Sequence, residues 1–207
     1  YDTGRWVLDG HRTAEGTALI PGTGYLELAA EAWAAQGEAG AVEIADLTFF
    51  RALDVGQGES RPVRVRLQRS DEGYGFEVES QVVLRGRKGW LAHATARLLP
   101  LNAPAPRLDL ASIAARLPAP RREAGMVTAQ ERHLRFGPRW RVLNEMALSG
   151  DEGLARLALP PAFAAEAGDW LVHPALADIA TGWAMGLIRG YRDDHLWVPL
   201  RYGRVRL

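Results

Sequence analysis

Two residues of this chain have the chemistry and the surroundings to move protons. His11 stands ahead of a short apolar run, Ala18 to Ile20. That run leads into Pro21-Gly22-Thr23-Gly24 and an alanine-rich stretch that begins Tyr25-Leu26-Glu27-Leu28-Ala29. Pro21 ends a strand because it donates no ladder hydrogen bond. Gly22 and Gly24 let the backbone turn tightly and approach a ligand closely. Thr23 is placed as a helix N-cap, so the helix start offers N–H groups and a positive dipole end near the histidine. A base beside oriented N–H donors is what proton abstraction next to a carbonyl requires. Asp178 lies in the first turns of a second apolar stretch, Pro174 to Ile188. A lone carboxylate there is costly unless paired or protonated, and burial makes it a candidate general acid. Each residue also has a plainer reading. His11 alone is a surface-turn histidine, and Asp178 alone is a charge that favours a helix start.

The elements that must position these residues are legible in outline. A short strand is expected over Arg5–Leu8 and a first helix from about Thr23 to Gln36. The helix is apolar around most of its circumference, as buried helices are, with Glu27 and Glu31 together on one side. Four strands follow without a helix: Ile44–Leu53, Val63–Gln68, Gly75–Leu84 and Trp90–Leu99. Val63, Val65 and Leu67 alternate with Arg64, Arg66 and Gln68, the pattern of a half-buried strand. Five prolines between Pro100 and Pro120 mark 100–122 as a linker, with a short helix at Leu108–Arg116. Strands are expected near Met126–Thr128, Trp140–Leu148 and Leu154–Leu159. The second helix starts after His173-Pro174, with proline in its first turn. A strand pair at Leu196–Leu207 ends the chain. This order is a weak repeat of strand, buried helix and strands, and on pattern alone the class is α+β.

Composition narrows the chemistry. The 207 residues are 47% hydrophobic with a formal net charge of zero, which argues against a nucleic-acid or membrane-surface partner reached by bulk charge. No apolar run approaches membrane-spanning length. There is no cysteine, which excludes disulfides, thiol nucleophiles and zinc–thiolate sites and fits a cytoplasmic setting. The five histidines show no metal-ligand spacing, so no metal is expected. No Gly-x-Ser-x-Gly elbow occurs, and Gly22-Thr23-Gly24 lacks the third glycine of a dinucleotide fingerprint. His93 reads as core or surface, His195 as part of a solvated loop beside Asp193 and Asp194, and His173 as structural. The seven tryptophans read mostly as core.

The stretch from His11 through Gly16 and Pro21 to Ala29 resembles the first active-site motif of dehydratase domains in modular (type I) polyketide synthases, H-x-x-x-G-x-x-x-x-P. Gly16 stands one residue late, so either the loop carries an extra residue or Glu15 takes the glycine position. His173-Pro174-Ala175-Leu176-Ala177-Asp178 is similar to the second motif, in which Gln or His usually follows the aspartate by four; here that position is Gly182. His133 to Trp140 is similar to the third, G-Y-x-Y-G-P-x-F. It keeps Gly137 and Pro138 and puts Phe136 where the family has a tyrosine hydroxyl. The resemblance implies a double hotdog, two buried helices each wrapped by antiparallel sheet, incomplete in this chain. Residues 1–99 would form the half with the catalytic His11, and 123–207 the half with the catalytic Asp178.

It further implies dehydration of a 3-hydroxyacyl thioester on acyl carrier protein. Gly16 and the Pro21–Gly24 start would face the thioester oxygen, with Phe136, Gly137, Pro138 and Gly182 as substrate wall. No cofactor is implied beyond the carrier's phosphopantetheine. The implied partners are the carrier protein, neighbouring synthase domains and a second copy of the chain. Two other readings stay open: an enoyl isomerase or oxa-cyclase on the same fold, or a degenerate scaffold for docking and dimerisation.

Overall fold

A computed structural model describes residues 1–38 and 40–207. In chain order its elements are α1 (Trp6–Asp9), β1 (His11–Thr13), β2 (Ala18–Leu19), α2 (Gly24–Ala35), β3 (Val42–Phe49), β4 (Asp54–Val55), β5 (Val63–Ser70), β6 (Gly73–Leu84) and β7 (Arg87–Pro100). Then come α3 (Leu110–Arg116), β8 (Arg121–Arg122), β9 (Leu134–Phe136), β10 (Leu143–Ser149), β11 (Glu152–Leu157), α4 (Pro174–Gly182) and β12 (Arg201–Arg206).

The larger layer is a five-stranded antiparallel sheet in the order β12-β3-β7-β6-β5. It wraps α2. Tyr25, Leu26, Ala29 and Trp33 of the helix meet Ile44, Leu47, Phe76, Val78, Ala94 and Leu98 of the sheet in one buried cluster. Alternate residues of β6 and β7 point into this cluster, as the two-residue period of a strand requires. A second cluster gathers Ala175 and Ile179 of α4 with Met126, Trp140, Val142 and Leu143. There the sheet has three strands, β11-β10-β8. The α+β class holds, and each of the two apolar helices buries a face against antiparallel sheet.

The two helical regions are joined by strand pairing. A four-stranded sheet, β4-β2-β1-β9, sets His11 opposite Phe136. At the other end β12 pairs with β3 in the sheet around α2, with Tyr202 opposite Leu47. The close approach of β1 to the 136–140 segment depends on two glycines. Gly137 donates its N–H to the Gly10 carbonyl at 2.8 Å. A Cβ on Gly137 would lie 2.9 Å from the Gly10 Cα, and one on Gly10 would lie 2.6 Å from the Trp140 ring.

Several expected elements differ. Arg5–Leu8 is not a strand. Trp6–Asp9 forms one helical turn closed by Gly10 N–H to the Trp6 carbonyl, burying Val7 and Leu8. The strand expected over Ile44–Leu53 stops at Phe49 and is bent within its length by Asp46, at φ 57°, where the register shifts. Met126–Thr128 is not a strand; Thr128 instead caps a 3-10 turn, reciprocally bonded with Glu131. Trp140 precedes its strand, in a 3-10 turn begun by Pro138. The second helix ends at Gly182, with a separate 3-10 turn at Met185–Leu187. The terminal strand pair is a single strand, β12, whose partner is β3. Thr23 holds the N-cap position of α2, but its hydroxyl makes no cap bond and is buried without a partner.

The Gly10–Gly137 contact makes a direct prediction. Gly10→Ala forces the Trp140 ring or the Trp6 turn aside and lowers stability by about 1–3 kcal/mol, the usual range for overpacking. Thermal melts followed by circular dichroism read this out; an unchanged melting temperature contradicts the close approach.

Candidate active site

His11 opens β1 and is buried. Its Nδ1 lies 2.9 Å from the Leu19 carbonyl oxygen, which can only accept, so Nδ1 carries the proton and donates it. Nε2 is left with its lone pair, 3.7 Å from Asp178 Oδ2. Asp178 sits on α4, and its Oδ2 accepts the Trp140 indole N–H at 2.7 Å. Burial pushes the Asp178 carboxyl above the ordinary carboxylate range, against the opposing pull of His11 and the Trp140 N–H. The Pro138–Trp140 turn delivers that indole, and ring packing fixes it. Trp140 stacks on Phe136 at 6.0 Å and meets Trp6 edge-on at 5.6 Å. Phe136 also stacks on His11 at 5.6 Å. The separation of the pair is too long for a direct hydrogen bond. It suits a base and an acid that address adjacent carbons of one substrate.

A cavity of about 530 Å³ opens onto the pair. His11, Gly22, Phe136, Asp178 and Gly182 line it. Gly16, Pro21, Gly137 and Pro138 are not on its wall. Gly16 turns the β1–β2 connection at φ +94°, with its N–H donated to Thr13 and its carbonyl taken by Arg12. The left-handed conformation belongs to Gly16 and not Glu15, so the loop carries the extra residue, and the Gly16 N–H is spent inside the turn. Pro21 accepts the Gly24 N–H and starts α2. Gly137 and Pro138 place Phe136 and Trp140, and Pro138 is exposed on the surface away from the cavity. Gly22 is the residue of that start on the wall, close under Pro199, and no backbone carbonyl of the described residues takes its N–H.

The remaining histidines sort by their partners. His93 is buried; its Nδ1 donates to the Ala52 carbonyl at 3.0 Å, and its Nε2 meets the Ser80 hydroxyl at 2.8 Å. It is a core histidine that holds residues 50–52 of the cavity rim. His173 stacks on Trp6 at 5.5 Å with both ring nitrogens unpartnered, and burial lowers its pKa. His195 is exposed beside Asp194. Among the described residues there is no cluster of ligands that could hold a metal, and no helix is long and apolar enough to cross a membrane.

Two residues were not singled out from sequence for what they do. Trp140 holds the Asp178 carboxyl, and the only sequence signal was an aromatic after Gly137-Pro138. Glu27 is buried on α2 and accepts the Leu171 N–H at 3.1 Å and the Val172 N–H. It thereby ties the segment entering α4 to α2. Burial raises its pKa, with those two N–H groups opposing.

Two outcomes follow from these contacts. Glu27→Gln keeps one acceptor and turns an NH₂ toward the other N–H, so stability falls by about 2 kcal/mol. Because α4 carries Asp178, turnover falls about tenfold through misplacement. Equal turnover in a variant that melts lower would separate the packing role from positioning. Asp178 keeps its proton to higher pH folded than unfolded, so raising pH from the ordinary carboxylate range through its raised value removes stability. Asp178→Asn lacks that cost. It should melt higher than the parent at neutral pH and approach it at low pH in a series of thermal melts.

Comparison with known proteins agrees with this architecture. A family model described as polyketide synthase dehydratase domain matches residues 2–81. A second, described as polyketide synthase dehydratase N-terminal domain, matches residues 105–207. The chain is 29% identical over 218 residues to the spectinabilin polyketide synthase system protein NorA' of Streptomyces orinoci. That match covers 98% of this chain and 6% of the relative. It is 33% identical over 178 residues to mycoketide-CoA synthase of Mycobacterium tuberculosis, covering 84% of this chain and 4% of the relative. The chain thus spans a small fraction of these curated relatives. Among solved structures, the dehydratase domain from the CurF module of curacin polyketide synthase superposes with a TM-score of 0.86 at 22% identity. It covers 99% of this chain and 74% of that one. A trans-AT dehydratase domain from Brevibacillus brevis gives a TM-score of 0.82 at 21% identity, covering 99% and 73%. With both ends of the chain matched in sequence and the hotdog fold matched in structure, this protein belongs to the polyketide synthase dehydratase domains.

Proposed function

We propose that this domain dehydrates a 3-hydroxyacyl thioester carried on acyl carrier protein, with His11 as base and Asp178 as acid. The observation that carries the reading is the pair itself. An imidazole with its lone pair on Nε2 faces a carboxyl group whose pKa is raised by burial, in one apolar cavity. His11 Nε2 takes the proton at C2, acidified by the thioester. Negative charge moves onto the thioester oxygen, where the Gly22 N–H and the start of α2 would receive it. Asp178 gives its proton to the C3 oxygen, the C3–O bond breaks, water leaves and the C2–C3 double bond forms. The imidazolium then returns a proton to the Asp178 carboxylate by way of a water molecule, since 3.7 Å is too long for direct transfer.

The same reading divides the chain into 1–99, a linker at 100–122 and 123–207. It names the carrier protein, adjacent synthase domains and a second copy as partners, in the cytoplasm, with no cofactor beyond the carrier's phosphopantetheine. Exposed Arg51 on the cavity rim offers a guanidinium to the phosphate of that arm. An enoyl isomerase or oxa-cyclase would use the same pair. A scaffold would need neither residue.

Mass spectrometry of the protein with a carrier-bound 3-hydroxyacyl substrate tests this. Loss of one water is expected, reduced about 100- to 10,000-fold in His11→Ala and in Asp178→Asn, the range for one general acid or base. Because Asp178 acts protonated, the rate falls as pH rises through its raised pKa. Water loss that persists in the His11 variant refutes the mechanism. A shifted double bond or a ring product replaces it with the isomerase or cyclase.

A further inference from the structure

The polar side chains on the cavity wall can be taken in turn, and most are committed to the protein. Thr128 is part of a capping box. Gln130 is bonded at both ends, to the Tyr191 hydroxyl and the Trp197 N–H. The Trp197 indole donates to the Arg192 carbonyl. The Thr181 hydroxyl donates back to the Ala177 and Asp178 carbonyls of its own helix. The Tyr25 hydroxyl is walled off from open space. Phe136 and Gly182 bring no polar atom at all.

Tyr202 is different. It sits on β12, the strand that crosses to pair with β3, and its ring packs edge-on against Phe49 at 5.7 Å. It is half-buried on the cavity wall, and its hydroxyl lies beside Thr181 and near the Asp178 carboxyl. Thr181 has already given its proton to the helix, so in the Tyr202–Thr181 hydrogen bond the phenol is the donor, and a substrate oxygen would take the place of the Thr181 lone pair. Burial keeps the phenol protonated, so it remains a donor at neutral pH.

Resting on the dehydratase reading, we propose that Tyr202 is the substrate-orienting donor of this site: its phenol hydrogen-bonds the C3 oxygen of the acyl chain and holds it at Asp178. The phenol meets this oxygen through one lone pair while Asp178 protonates the other. The bond strengthens as the C3–O bond breaks and the oxygen gains charge, so it favours the transition state over the ground state. In this chain a strand from beyond α4 supplies the hydroxyl that neither Phe136 nor Gly182 can.

Binding and turnover test it together. In an Asp178→Asn background no water is lost, so equilibrium affinity can be compared for pantetheine thioesters of one 3-hydroxyacyl chain and its 3-deoxy counterpart. Adding Tyr202→Phe keeps the ring. It should cut the preference for the hydroxylated chain about fivefold, the worth of one hydrogen bond, and leave the deoxy affinity and the melting temperature unchanged. In the otherwise unaltered protein, Tyr202→Phe should lower kcat by about 10- to 100-fold with a smaller change in KM. An unchanged preference and unchanged kcat overturn the assignment of Tyr202. A lower melting temperature with equal loss of affinity for both thioesters also overturns it, in favour of a packing role. Failure of either thioester to bind the Asp178→Asn protein overturns the dehydratase reading beneath it.

Discussion

A carboxyl group withdrawn from water and set against an imidazole is the interaction on which the site depends. Burial raises the affinity of Asp178 for its proton, while the neighbouring ring and the Trp140 indole pull the other way. For the proposed acid role burial is the useful effect: a fully solvated aspartate would be ionised at neutral pH and could donate nothing. The surrounding aromatic rings of Phe136, Trp140 and Trp6 exclude water without bringing charge. The Trp140 indole N–H orients the Asp178 carboxyl.

Holding that pair requires distant parts of the chain to stay in register. β9 lies against β1 so that Phe136 faces His11, and the Gly10–Gly137 contact lets the Trp140 turn reach α4. On the far side, β12 adds a strand to the sheet around α2, and Asp46 binds both Arg97 and Arg201 at the bend in β3. Between them Glu27 fastens the entry to α4 onto α2. Each tie is modest alone. Together they place two side chains from opposite ends of the sequence with no metal ligand set among the described residues to align them.

The departures from the family motifs have one physical consequence. Phe136 and Gly182 turn the wall around Asp178 apolar, and the cavity keeps few uncommitted polar groups. Such a wall strengthens each remaining electrostatic interaction, since a low local dielectric screens less. On the proposed reading, orientation of a substrate oxygen then rests on whatever hydroxyl is left, and a residue of β12 becomes relevant to a reaction centred on β1 and α4.

Much of the local structure was legible in the sequence because it depends on local rules. The alternation in Val63–Gln68, the apolar circumference of α2, the proline opening α4 and the helix in the proline-rich linker all appear in the fold. His11 and Asp178 were legible through the motifs around them, since each alone reads as a surface-turn histidine or a helix-start charge. Tertiary structure then buried His11 and set its ring beside Asp178. Tertiary contacts alone determined the rest. Trp6–Asp9 became a helical turn because Val7 and Leu8 bury there, and Gly16 proved to serve its own turn. Glu27 drew partners from the segment before α4, which no spacing within α2 could reveal. β12 found β3, and so Tyr202 reached the cavity. Strand partners and buried hydrogen bonds join residues with no sequence relation to one another, whereas a helix face or a turn is decided within a few residues.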